Sequence, residues 1–354
     1  MAEERLDVEA PLSRRLLAEF VGTALLVGVG TGAATVLTLG ASRSIETVSQ
    51  AFPGGGGDPV LNELFKGSFG DALPVALAFA LVLALVVYAF GGVSGGHFNP
   101  AVTLAMAATK RLPWSKVGPY WAAQCLGAIV GTLVIAGIYS EAGATAGTPD
   151  SLFGATRVAD DVSQLGAILA EAFITFVLVT AIMAVAVDRR APKGFSGLVI
   201  GFALGAGILA TGAATGGSAN FARSLGPLVA SLPYDTRDIP WSDLIVYAAG
   251  PALGALAAAF LYESVTGLEQ VAPAPAPGAA TPPSDEHGHA GHDHDHDHHD
   301  HDHHDHDHDH HHHDHDHAHD HVAPEVAETA APVVAEDERA GGEATPGPDD
   351  PRRV

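Results

Sequence analysis

Ser94-Gly95-Gly96-His97-Phe98-Asn99-Pro100-Ala101-Val102-Thr103 ends one long apolar run and, at an asparagine followed by proline, begins a shorter one. A partner stretch lies in the second half of the chain: Gly216-Gly217-Ser218-Ala219-Asn220-Phe221-Ala222-Arg223-Ser224. Each asparagine opens an apolar segment, about 99–109 and 220–231, that is too short to cross a bilayer alone. Paired glycine-rich breaks in corresponding places of two halves point to a transport protein built from inverted repeats.

Outward from these breaks, six stretches are apolar for the roughly 20 residues a membrane helix needs: residues 14–38, 72–92, 115–139, 164–187, 195–213 and 242–266. Their richness in glycine and alanine suits close helix packing in lipid. Ala18-Glu19-Phe20 recurs as Ala170-Glu171-Ala172-Phe173, and Tyr120-Trp121-Ala122-Ala123-Gln124-Cys125-Leu126-Gly127-Ala128 as Tyr247-Ala248-Ala249-Gly250-Pro251-Ala252-Leu253-Gly254-Ala255, so the chain repeats itself over about 14–139 and 164–266. Three spans per repeat is an odd number, so the second repeat must insert upside down. The two asparagine-led segments then enter from opposite faces and meet near the midplane. The fold class expected is an all-α membrane protein of six transmembrane helices plus two re-entrant half-helices.

Orientation follows from basic residues. Arg5, Arg14, Arg15, Lys110, Arg111, Lys116, Arg189, Arg190 and Lys193 fall on one side, and Arg43, Lys66, Arg157 and Arg237 on the other. That asymmetry places both termini in the cytoplasm, and a plasma-membrane location is expected. The segment 1–13 is polar and acidic, without the basic and short apolar regions of a cleaved signal peptide. Residues 14–268 form the channel-like domain, and 269–354 a tail of different composition. The formal charge of −24 resides mostly in that tail. Its acidic, aromatic-free composition cannot bury enough apolar surface to order itself, so disorder is expected, and its charge argues against nucleic acid as a partner. Cys125 is the single cysteine, which excludes an intrachain disulfide, and its apolar surroundings make it a packing residue.

The chain resembles the major intrinsic protein family, the aquaporins and glycerol facilitators. The resemblance covers about 12–268 and rests on the ten residues 94–103, on Ala222-Arg223-Ser224-Leu225-Gly226-Pro227, on Glu19 and Glu171, and on the pattern of six long and two short apolar segments. It implies a passive channel for water and small neutral solutes such as glycerol, embedded in the lipid bilayer, assembled as a homotetramer and excluding ions and protons. The motif residues it implies at the pore are Asn99, Pro100 and Ala101 with Asn220, Phe221 and Ala222.

The physics of such a site is general. The first turn of a helix leaves N–H groups unpaired and carries partial positive charge, so two such ends facing each other repel cations. The carboxamides of Asn99 and Asn220 would donate to the oxygen of a passing solute and interrupt a proton relay. Pro100 suits the first helical position, and asparagine suits the cap before it, a structural role that coexists with the other. Phe221 departs from the family pattern, where proline is usual, and puts the local pore radius and the angle of Asn220 in question.

By spacing from the two asparagines, the resemblance assigns a narrow filter to Phe79, Ile208, Gly217 and Arg223. A charged side chain inside an apolar segment is costly and usually functional. Ile208 and Gly217 predict a wider, less polar filter than in water-selective members, whereas Ser224 stands where glycerol facilitators usually have aspartate. The two signals conflict. Glu19 and Glu171 are implied to be structural carboxylates that accept hydrogen bonds from the re-entrant loops, with a proton relay as the sharper alternative. His97 is expected to line the cytoplasmic vestibule or bond a loop carbonyl.

The tail from His287 to His321 interleaves histidine and aspartate. Such density suits Zn²⁺, Ni²⁺ or Cu²⁺, with His292, His294, His296, His298, His299, His301, His303 and His304 as candidate ligands, although a solvated linker would have the same composition. No other cofactor is implied. Two further readings remain at this stage: a divalent-metal transporter, for which the apolar region offers few intramembrane ligands, and a non-conducting or metal-regulated membrane protein. No nucleophile–base pair or cofactor-binding loop is present in the sequence, so no enzymatic activity is expected.

Overall fold

A computed structural model of the chain describes residues 10–51, 69–147, 150–192 and 194–268. The acidic tail, its histidines and the Gly54–Gly57 run lie outside these residues. Six long helices account for the predicted spans: α1 (Leu12–Ala51), α2 (Phe69–Ser94), α4 (Trp114–Thr145), α5 (Gln164–Ile182), α6 (Ser196–Thr215) and α8 (Leu244–Thr266). Two short ones start at the residues after the asparagines: α3 (Pro100–Ala108) and α7 (Phe221–Ser231). All six long helices are apolar enough to cross a membrane, and the fold is that of an integral, multi-pass membrane protein.

The first span differs from its expected end. The sequence reading stops it near residue 38, whereas α1 runs on to Ala51, a total of 40 residues and about 60 Å, or twice the hydrocarbon thickness. No proline interrupts the polar stretch before Pro53. The hydroxyls of Ser42, Ser44 and Thr47 donate back to the carbonyls of Thr38, Gly40 and Arg43 at 2.9–3.0 Å. Hydropathy ended where the helix did not. At the end of α5 the helix widens by one π turn, Met183–Val187, before the chain leaves at Asp188. Within α4 the backbone breaks at Ser140.

Packing follows the repeat. In the first repeat α1 packs along α4, and in the second α5 packs along α8, its counterpart pair; α2 packs on α6, which occupies its own position in the other repeat. Each half-helix crosses over: α3 lies chiefly against α8 and α7 against α4. Close approach within the counterpart pairs depends on glycine. A Cβ on Gly127 would overlap the carbonyl oxygen of Phe20, and one on Gly254 would overlap that of Ala172. Both glycines belong to the repeated Tyr-led stretch of the sequence.

Candidate functional site: the meeting point of the two half-helices

Each half-helix begins with a cap made by its own asparagine. Asn99 Oδ1 accepts from the Ala101 N–H at 2.9 Å. Asn220 Oδ1 accepts from the Ala222 N–H at 3.0 Å and the Arg223 N–H at 3.3 Å. The amide nitrogens then reach across the pseudo-symmetry axis. Asn99 Nδ2 donates to the carbonyl of Ala219 at 2.7 Å, and Asn220 Nδ2 to the carbonyl of Phe98 at 2.9 Å. One hydrogen of each NH₂ group is thereby spent, and the second remains for whatever occupies the cavity that both residues line.

This reciprocal geometry requires an unusual backbone. Phe98 and Ala219, the residues before the asparagines, have φ of 47° and 53°, and each follows a pair of left-handed glycines, Gly95–Gly96 and Gly216–Gly217. Left-handed conformations at residues with a Cβ are strained, so something must hold them. The buried carboxylates do. Glu19 accepts from Ser94 Oγ (2.6 Å), the His97 N–H (3.0 Å), the Phe98 N–H (2.7 Å) and Gln124 Nε2 (2.8 Å). Glu171 accepts from Thr215 Oγ1 (2.7 Å), the Ser218 N–H (2.9 Å) and the Ala219 N–H (2.7 Å).

Two tyrosines complete the brace. Tyr120 OH donates to the Ser94 carbonyl at 2.8 Å and Tyr247 OH to the Thr215 carbonyl at 2.7 Å. Sequence reasoning paired these tyrosines in the repeat without giving them a role. It also did not extend the second motif back to Thr215, the counterpart of Ser94. Reading the repeat as Ser/Thr-Gly-Gly-x-x-Asn would have found Thr215.

Arg223 is 4% exposed. Its Nη1 donates to the Gly154 carbonyl at 3.1 Å, and its guanidinium lies 5.0 Å from the ring centroid of Phe79, an attractive cation–π arrangement. Gly154 comes from the connection before α5, which no sequence signal marked. That connection is fastened in turn by Thr156 Oγ1, 2.7 Å from Ser224 Oγ, which is 2.7 Å from Ser218 Oγ.

A cavity of about 340 Å³ runs from Arg111, Val187 and Arg189 past Asn99 and Asn220 to Phe79 and Arg223. Leu26, Leu83, Leu178 and Leu204 form apolar walls, and His97 lines it as well. His97 Nδ1 is 3.1 Å from Thr103 Oγ1. The other residues expected at the pore lie apart from this cavity. Ile208 and Gly217 lie close together, and neither is among the residues that line this cavity. Pro100, Ala101 and Phe221 line a different cavity, on the far side of the half-helix ends, because at the first helical turn their side chains emerge on the face opposite the asparagine amides. Phe221 therefore does not narrow the conducting side. Ala222 is buried beside Val27 and Ala128. Among the described residues, no group of three or more His, Cys, Asp or Glu side chains comes together.

The profile described as Major intrinsic protein matches residues 8–262. The chain is 41% identical over 251 residues to a protein of Archaeoglobus fulgidus named Probable aquaporin AqpM, covering 71% of this chain and 96% of that one. It is 34% identical over 250 residues to the Glycerol uptake facilitator protein-like 6 of Lactiplantibacillus plantarum, covering 70% and 95%. Its fold is like that of the X-ray structure of the aquaglyceroporin from Plasmodium falciparum, with a TM-score of 0.54, 23% identity, and coverage of 72% of this chain and 97% of that one.

Proposed function

The chain belongs to the major intrinsic protein family, and from that premise we propose that it is a passive membrane channel for water and small neutral solutes such as glycerol. The observation that carries the reading is the cavity in which leucine walls face a ridge of donors from Asn99, Asn220 and Arg223. A water oxygen at the midplane meets two amide N–H groups and is turned so that its own hydrogens point outward, which breaks a proton relay. The half-helix ends and the Arg223 guanidinium add positive potential that opposes cations. An apolar wall opposite a donor ridge also suits the carbon face and hydroxyl edge of a polyol, and relatives named as aquaporins and as a glycerol facilitator support both solutes.

The family reading also supports a homotetramer with one pore per protomer, the basic residues support cytoplasmic termini, and the tail composition supports uptake of Zn²⁺, Ni²⁺ or Cu²⁺. Stopped-flow light scattering on proteoliposomes tests the channel. Water and glycerol gradients should relax faster than in protein-free vesicles, with no accompanying proton entry by an internal pH dye, and repetition with Zn²⁺ reads any effect of the tail. Relaxation no faster than in protein-free vesicles would overturn the assignment.

A further inference from the structure

Phe221, like Pro100 and Ala101, does not line the conducting cavity. Its ring helps to wall a second cavity of about 250 Å³. Pro100 and Phe221 bring to it the first turns of both half-helices, Trp121 and Cys125 come from α4, and Tyr247 and Pro251 from α8. Since the half-helix ends meet halfway across the bundle, this cavity lies at the depth of the hydrocarbon core. Trp121 and Cys125 agree with that, standing about 10 and 16 Å along α4 from its first residue.

The chemistry of the wall is one-sided. The two lining side chains with an N–H or O–H have already spent it: Trp121 Nε1 donates to the Pro100 carbonyl at 3.0 Å and Tyr247 OH to the Thr215 carbonyl at 2.7 Å. The rest of the lining side chains are hydrocarbon, apart from the Cys125 thiol, a weak donor. Water needs two or more polar partners to settle in a cavity and finds almost none here, whereas an apolar guest gains dispersion contacts on every side. The rim opens outward: Trp121 is 40% exposed, and Ala248 on the rim is exposed.

We propose that this crevice binds one hydrocarbon chain of a membrane lipid, seated against Pro100 and Phe221. A phenyl ring at position 221 gives the wall more carbon surface than a proline would. The chain's terminal segment then touches the residues that directly follow Asn99 and Asn220.

The chain has three tryptophans, so a Trp114→Phe/Trp241→Phe variant leaves Trp121 as the only one. In vesicles of phosphatidylcholine brominated at mid-chain, Trp121 fluorescence should be strongly quenched, and much less so with bromines near the headgroup. Ala248→Leu, which places a leucine over the mouth of the crevice, should cut the mid-chain quenching at least in half while water flux is retained. Should that variant fail to conduct water, Ala252→Leu serves the same purpose from one turn further along α8. Quenching unchanged by a mouth-blocking leucine would mean ordinary lipid on an open face and would overturn the site. Absence of quenching at every bromine depth would mean that protein, such as a second copy of the chain, covers the face, and would overturn it equally.

Discussion

Glu19 and Glu171 hold equivalent turns with unequal sets of bonds, and that difference makes a prediction. Each oxygen of Glu19 accepts from two donors, Ser94 and His97 at one and Phe98 and Gln124 at the other. In Glu171, Oε2 serves the Ala219 N–H and Oε1 serves Thr215 and Ser218. A glutamine in place of Glu19 turns an NH₂ group toward two donors whichever way it is rotated, and each stranded buried donor costs about 1–3 kcal/mol. In place of Glu171 it can face Ala219 alone. Thermal unfolding of the detergent-solubilised protein should therefore show Glu19→Gln with the larger drop in midpoint, and an equal or reversed order would refute the bond inventory. The two carboxylates were legible in the sequence as charges in apolar segments. Their partners were not, because all seven donors lie at least 44 positions away in the chain.

At the scale of elements, α7 explains why the motif tolerates its odd residue. Phe221 occupies the first helical position, Asn220 caps it, and the side chain points to the crevice away from the conducting cavity. Proline is welcome at that position, where its missing N–H leaves no helical bond unmade. Phe221→Pro should thus leave water permeability within about twofold of wild type, because neither ring reaches the donors that matter. A large gain in flux would mean that the phenyl ring does obstruct the pore. Helix boundaries were legible where the sequence carries capping chemistry, as at Asn99 and Asn220, and illegible where hydropathy alone was the guide, as at the far end of α1. A helix is ended by caps and breakers, and a polar face does not end it.

For the molecule as a whole, the two basic loops are tied to the last helix. Arg111 pairs with Glu263 at 2.5 Å. Asp188 accepts from Arg190 Nη2 at 2.6 Å and from Tyr262 OH at 3.0 Å, and Arg190 Nη1 donates to the Thr266 carbonyl at 3.3 Å. The hydrogen bonds from Arg190 hold the Asp188 carboxyl well below the usual carboxylate range. A lowered folded value means that the stabilisation is complete above the unfolded value of about 4 and is lost only as pH falls toward the folded one. Asp188→Asn should accordingly melt below wild type by the same margin from pH 8 to pH 5, with the gap closing only in stronger acid. A margin that shrinks between pH 7 and pH 5 would place the titration elsewhere.

The sequence by itself determined the number of spans, the inverted repeat, the family, and the asparagines and arginine at which to look. These follow from local quantities, namely how long an apolar run is, what caps it and whether it recurs. Only the tertiary structure decided which way each motif residue faces. Asn99 and its neighbour Pro100 are adjacent in the chain yet line different cavities, since Asn99 is the extended cap residue and Pro100 the first residue of the helix. It alone decided as well that the Gly154 carbonyl anchors Arg223 and that Tyr120 and Tyr247 brace the re-entrant turns. Those bonds join residues from distant parts of the chain, and nothing in a local pattern records which of them packing brings together.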